Sequence, residues 1–318
     1  MDTAAMDRDL ETLRAGRHAW ARLPIPEKLR YLDALAQRTE NVAERQVRAA
    51  LAAKGIAPGS PAAAEEWLGG PVVQARVVRQ LRQSLHDVLH HGVPQLPPGS
   101  VRQRANGRVA VQVFPASLTD RATLPGFSAE VWMQGGVTPH TLADHMAGFY
   151  KQPEPDGAVS LVLGAGNVAS IGPLDAVDAL FVHGRVVLLK FNPVNAYLGP
   201  FVEEAFADLI HDGYVRTAYG GADVGAYLCG HPAVDTVHVT GSDKTHDAIV
   251  FGPGPEGAKR KRENQPINTK PITSELGNVS PVVVVPGPFT AAELRFHAEN
   301  VATQMTNNAG FNCNAAKV

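Results

Sequence analysis

Hydrophobic positions along this chain change their period once, near residue 158. Through the first hundred residues they recur every three or four positions, the spacing of helices that bury a single face. Pro24-Ile25-Pro26-Glu27 opens one such helix, with Pro26 near its first turn. Leu29, Leu32, Leu35 and Ala36 follow, and the pattern stops at Lys54-Gly55. Ser60-Pro61 opens another, with Glu65 and Glu66 beside its positive end. Val73, Val77, Leu81, Leu85 and Leu89 then line one side, and Pro71 kinks or restarts the helix. Pro94 to Gly99 is a loop, and Arg108 to Phe114 alternates apolar with polar, which predicts a half-buried strand.

From Ala158 the texture becomes short apolar runs separated by helical stretches. Val159–Leu163, Val186–Lys190, Val215–Tyr219 and Val234–Thr240 read as strands. Between them, helices are predicted from Pro173 to His183, from Phe201 to Ile210 and across Val224 to Cys229, where Cys229 reads as a core residue. Such alternation predicts an α/β fold, a Rossmann-like parallel sheet with helices on both faces. The expected division is a helical N-terminal part over 1–105, a dinucleotide-type domain over 106–278, and the beginning of a second α/β catalytic domain over 279–318. Phe251 to Lys270 breaks the rhythm, and its basic run Lys259–Arg262 reads as a solvated loop rather than an anion patch. The segment Ile272–Pro281 leads into an apolar strand, Val282–Val285. Thr290 caps a last helix with Ala291, Leu294, Ala298, Val301 and Met305 on one side.

Composition narrows the classes. With 318 residues, 44% hydrophobic and 19% charged, the chain has the make-up of a soluble globular protein. A formal charge of −2 gives no general pull toward nucleic acid or anionic membrane. No apolar run approaches the roughly 20 residues that span a bilayer, and the polar start, with Asp2, Asp7 and Asp9, is not a signal peptide. Two cysteines make neither a disulfide framework nor a zinc pattern, so a reducing cytoplasm is the expected location. His86, His90 and His91 have only Asp87 near them, which fits a polar helix end better than a metal site.

Ligands of open parallel sheets bind at the carboxyl ends of the strands. That rule points to Gly164–Asn167, Lys190–Asn192 and Gly241–Ser242. Cys313 draws attention separately, because it sits among small and amide residues in Asn307–Val318 rather than in an aliphatic run. Taken alone these are modest signals: Gly164-Ala-Gly-Asn is not a full G-x-G-x-x-G, and a lysine at a strand end is common.

In order, however, they resemble the aldehyde dehydrogenase superfamily over about residues 158–318. Ser274-Glu-Leu-Gly-Asn-Val-Ser-Pro281 and Asn308-Ala-Gly-Phe-Asn-Cys313 are similar to that family's base and nucleophile segments, and Val237-His-Val-Thr-Gly-Ser242 to its pyrophosphate turn. The resemblance implies Cys313 as nucleophile, Glu275 as general base and Asn167 as oxyanion donor. It implies Lys190, Asn192, Gly166, Gly241 and Ser242 as contacts to NAD or NADP, with no metal. Its chemistry is addition of a thiolate to an aldehyde, loss of hydride from the thiohemiacetal oxyanion, and hydrolysis of the thioester by water activated by Glu275 in a partly desolvated pocket that raises its pKa.

Several positions depart from the family's pattern. Phe191-Asn-Pro193 follows the lysine where an acid that contacts the ribose is usual, so the choice between NAD and NADP is open. His246 and Asn278 stand where glycines are usual, and the basic segment resembles an insertion. Family members also continue well beyond the cysteine. The chain is therefore expected to be an N-terminal portion of an enzyme that is homo-oligomeric when full length, with little activity by itself on its small-molecule aldehyde. A coenzyme A-acylating relative and a non-catalytic dinucleotide-binding module are the alternatives.

Overall fold

A computed structural model describes residues 3–317. Val318, the last residue of the cysteine stretch, and Asp2 of the polar start lie outside them. The N-terminal part is helical: α1 (Thr3–Ala21), α2 (Ile25–Lys54), α3 (Ala63–Trp67) and α4 (Val73–His91). Helix α2 starts behind Pro24 and ends where Gly55 takes a left-handed conformation at φ 67°, which a glycine adopts without steric cost. The predicted break at Pro71 is present as a wide turn, Leu68–Val72, in which Gly70 leaves helical geometry. The rings of His86 and His90 lie 4.4 Å apart on α4, tilted by 50°.

A small antiparallel sheet follows, with β1 (Val101–Gln103), β2 (Val109–Phe114) and β3 (Ala129–Trp132) in that order, and α5 (Leu118–Thr123) between the last two. Only β2 was legible as a strand; β1 and β3 are too short to show a period.

The rest of the chain builds the main sheet from β4 (Val159–Leu163), α6 (Ile171–Phe181), β5 (Val186–Lys190), α7 (Gly199–Ala205), α8 (Ala207–His211), β6 (Val215–Ala218), α9 (Ala222–Gly230), β7 (Thr236–Gly241), α10 (Asp243–Phe251), α11 (Gly254–Arg262) and β8 (Ile272–Leu276), before α12 (Ala291–Thr306). Five strands run parallel in the order β6-β5-β4-β7-β8. The chain winds outward from β4 through β5 and β6, then returns to β4's other side with β7, so the order reverses between β4 and β7. Every residue of β4 and β5 is buried, as strands covered by helices on both faces require. Trp20 of α1 anchors the helical part to this sheet: its indole N–H donates to the Leu180 carbonyl at 3.0 Å and its ring meets Phe181 edge-on at 5.3 Å.

Four expectations change. The predicted helix over Phe201–Ile210 is two pieces, because the backbone turns out of helical geometry at Phe206. The basic run Lys259–Arg262 is not loop but the last turn of α11, where cations complement the carbonyl end of the helix; Lys261 pairs with Asp247 at 2.6 Å. Ile272–Leu276 is a strand, paired edge to edge with β7. Val282–Val285 is not one: Val283, Val284 and Val285 lie exposed, and the only bridge beside the segment among the described residues is an isolated one between Pro281 and Lys317. Strand-prone residues need a ladder partner, and beyond the Val282 N–H, which donates to the Lys317 carbonyl at 2.7 Å, no ladder continues along this segment among the described residues. The final helix is capped as expected, by a reciprocal box of Thr290 and Glu293, yet none of its residues is buried.

Candidate active site

The carboxyl ends of β4, β5 and β7 open into a cavity of about 1090 Å³. Leu163 and Gly164 close it from β4, Lys190 and Asn192 from β5, and Thr240, Gly241 and Ser242 from β7. This is the crevice that the strand-order reversal creates. Four of the five residues expected to hold a cofactor therefore meet there. Gly166 stands behind that group: a Cβ on it would strike the Asn192 side chain at 2.8 Å, so it lets Asn192 pack close rather than lining the space itself.

Charge and geometry in the cavity favour an anion. Helix α10 points its amino end into it, with Ser242 as cap accepting from the Thr245 N–H at 3.1 Å. Lys190, Lys244 and Lys270 share the lining. Burial pushes the Lys190 ammonium below its usual range, against the pull of the Asp223 and Cys229 charges. The Lys270 ammonium is committed to the carbonyls of Cys229 and His231 at 2.8 and 2.6 Å. Asn192 caps the turn that follows it, its Oδ1 accepting from Val194 N–H at 3.0 Å. Cys229 is the core residue its helical setting predicts, buried, with its thiol pushed up to about 11 by burial.

A second cluster holds the other cysteine. Asn167, in the loop after β4, donates from Nδ2 to the Phe311 carbonyl at 3.1 Å, two residues before Cys313. Its own carbonyl accepts from the Asn308 amide at 3.0 Å. The ammonium of Lys54, at the end of α2, reaches Glu66 at 2.6 Å and the Asn308 Oδ1 at 2.7 Å. The Asn308 backbone N–H donates to the Glu65 carboxylate. These bonds hold Asn308 and Ala309 at φ 50° and 53°, a left-handed pair followed by Gly310 at φ 77°. For Ala309 that conformation is strained and persists because its neighbours are tied down. Cys313 itself is half-buried, its Sγ 3.6 Å from the Asn312 Oδ1.

Glu275 differs from its expectation. It sits on β8 opposite Thr240 and is exposed, and its carboxylate makes no hydrogen bond among the described residues, so the partly desolvated pocket expected around it is not there. Its charge is felt at His238, whose protonated form is favoured first by a hydrogen bond with Asp175 and then by the charges of Asp175 and Glu275. Lys54, Glu65 and Glu66 carried no chemical signal in the sequence; they read as a helix stop and a helix start. Their partner Asn308 lies so far along the chain that only the folded structure joins them. Among the described residues no group of three or more His, Cys, Asp or Glu side chains could hold a metal ion, and no helix is long and apolar enough to cross a membrane.

An open parallel α/β sheet with an anion-favouring cavity at its switch point defines the class of protein. Residues 129–318 match the sequence profile of the aldehyde dehydrogenase family, and the chain belongs to that family. It is similar to the zebrafish (Danio rerio) 4-trimethylaminobutyraldehyde dehydrogenase A, with 29% identity over 137 residues, 42% of this chain and 24% of that one. Aldehyde dehydrogenase C of Pseudomonas syringae, solved with NAD+ and octanal, superposes with a TM-score of 0.59 and 18% identity over 98% of this chain and 50% of its own. An NADP-dependent glyceraldehyde-3-phosphate dehydrogenase of Bacillus halodurans, solved with NADP, gives 0.58 and 16% over 99% and 52%. The chain spans about half the length of those solved proteins.

Proposed function

We propose that this chain carries the cofactor side and the nucleophile of an NAD(P)-dependent aldehyde dehydrogenase that oxidises an aldehyde to a carboxylic acid through a covalent thioester. The carrying observation is the hydrogen bond from Asn167 to the backbone of the Cys313 segment, because it joins the loop at the head of β4 to the one half-exposed thiol. A bound nicotinamide dinucleotide would supply the hydride acceptor, and the cavity suits it in volume, in lysines and in the amino end of α10.

The chain's own residues divide the remaining work. The Cys313 thiolate bonds to the aldehyde carbon, and the carbonyl oxygen becomes an oxyanion. The Asn167 amide and the Cys313 backbone N–H are the donors for that oxygen, each worth roughly 3–4 kcal/mol in comparable sites. One N–H of the Asn167 amide goes to the Phe311 carbonyl, which leaves its second N–H for the oxyanion. The same sulfur then holds the acyl group of the thioester. Glu275 takes a proton from the attacking water, which requires the carboxylate to come closer and lose solvent compared with its exposed position here. Lys190 and Ser242 hold the ribose and pyrophosphate. Residues 1–105 brace this arrangement, 106–278 bind the cofactor and 279–318 present the cysteine. Cytoplasmic location and homo-oligomerisation belong to the same proposal.

An activated aryl ester tests the covalent step without needing hydride transfer. Peptide mass spectrometry should find the acyl group on Cys313 and not on Cys229, and Glu275→Gln should prolong its lifetime about a hundredfold. Equal labelling of both cysteines, or an acyl lifetime unchanged in the variant, would overturn these roles.

A further inference from the structure

The cavity at the switch point has one feature that the roles above leave without a task. Asp223 is the single carboxylate among its lining residues, against the three lysines. It stands in the first turn of α9, is exposed to the cavity, and makes no hydrogen bond or ion pair among the described residues. Gly221, where α9 begins, leaves it room: a Cβ there would press on the Asp223 Oδ1 at 3.2 Å. On the facing strand end are Lys190, whose ammonium feels the Asp223 charge, and Asn192, whose carboxamide oxygen is already taken by its turn. No acid follows Lys190 along the chain, since Phe191, Asn192 and Pro193 stand there.

We propose that the Asp223 carboxylate accepts the hydroxyls of the adenosine ribose and makes this cavity select NAD over NADP. The proposal rests on the dinucleotide reading of the cavity given above. A carboxylate at the rim of a parallel-sheet crevice is a natural acceptor for a ribose diol. The same carboxylate repels a phosphomonoester, which carries nearly two negative charges near neutral pH. Discrimination of this kind comes from placing a like charge against the wrong ligand. Lys190 would bond the ribose in either cofactor. Lys244, in the first turn of α10 beside Ser242, would meet the pyrophosphate that both cofactors share, and Lys270 is committed to backbone carbonyls. The Asp223 charge acts on Lys190, so the carboxylate offsets the ammonium that would otherwise draw in the extra phosphate.

Fluorescence titration of the 318-residue chain with NADH and with NADPH reads this directly, with circular dichroism to confirm folding. NADH should bind roughly tenfold or more tightly than NADPH. Asp223→Ser should tighten NADPH about tenfold and weaken NADH severalfold, whereas Asp223→Glu should keep the preference for NADH. Equal affinities in the unaltered chain, or a ratio unchanged in Asp223→Ser, overturn the proposal. If the folded chain binds neither dinucleotide, the reading of the cavity itself fails and the proposal fails with it. That outcome differs from one in which both bind without discrimination.

Discussion

Two apolar stretches of this chain have nearly the same composition and opposite fates. Val186-Val-Leu-Leu189 lies in β5, wholly buried and paired on both edges. Val282-Val-Val-Val285 lies in the open, with Val283, Val284 and Val285 all more than 60% exposed and no ladder. The same contrast holds for helices: α6 buries most of its length under the sheet, while α12 buries nothing. What separates the regions is the company each stretch keeps, which is why strand propensity is better described as a fit to neighbours than as a property of residues.

The comparison is easiest to break by truncating side chains on each side of it. Leu188→Ala, in a fully buried position, should cost about 3–4 kcal/mol, whereas Leu294→Ala on α12 should cost less than about 0.5 kcal/mol. Urea unfolding of the two variants decides this, and similar losses would mean that the C-terminal segment is packed far more firmly than its exposure shows.

The segment is nevertheless tethered, and the tether is polar. Glu66→Ala removes a buried carboxylate from Lys54 and leaves that ammonium with the Asn308 and Asn167 oxygens alone. The expected loss is about 2–3 kcal/mol. It should show in hydrogen exchange as faster exchange over 307–317, with the amides of β4 and β5 unchanged. Uniform loosening of both regions would show that the pair supports the whole fold.

A smaller, pH-dependent effect lies on the buried side. Lys28 is fully buried between the faces of Trp20, Phe149 and Tyr150, at 4.7–5.3 Å from their centroids. Burial pushes its ammonium down from 10.5 to about 8, while the ring faces resist that shift. With the folded value below the unfolded one, the unfolded chain binds more protons between them, so stability should rise as pH goes from about 8 to about 10.5. The gain should be about 1–2 kcal/mol after the rings' opposing pull, and absent in Lys28→Met. Thermal melts of both proteins across that window check the sign.

Much of the molecule was legible because its signals are local. The β4–β7 strands, the Pro24 and Gly55 boundaries of α2 and the Thr290 cap follow from period and terminal chemistry within a few residues. The strand ends that form the cavity followed from topology alone. What was not legible depends on distant partners. The failure of Val282–Val285 to become a strand needs knowledge of its neighbours, and so does the exposure of Glu275. Lys54 and Glu66 looked like helix punctuation, and nothing in their local sequence marks a pair that grips Asn308. Asp223 carries no signal in its local sequence, and only the placement of α9 brings it to the cavity.

The bond from Lys54 to Asn308 also sets an order of assembly. Its partners are 254 positions apart, while Lys54 and Glu66 are only 12 apart. On a ribosome adding roughly 5–20 residues each second, the ion pair can form many seconds before Asn308 is made. The socket therefore waits, already neutralised, for the loop that will close it, and closing so long a loop is the slow kind of contact to make. The cavity at the strand ends needs nothing beyond Lys270. During synthesis the cavity lining is thus complete before the Cys313 segment is made, so the loop that carries the thiol docks last onto a sheet already formed.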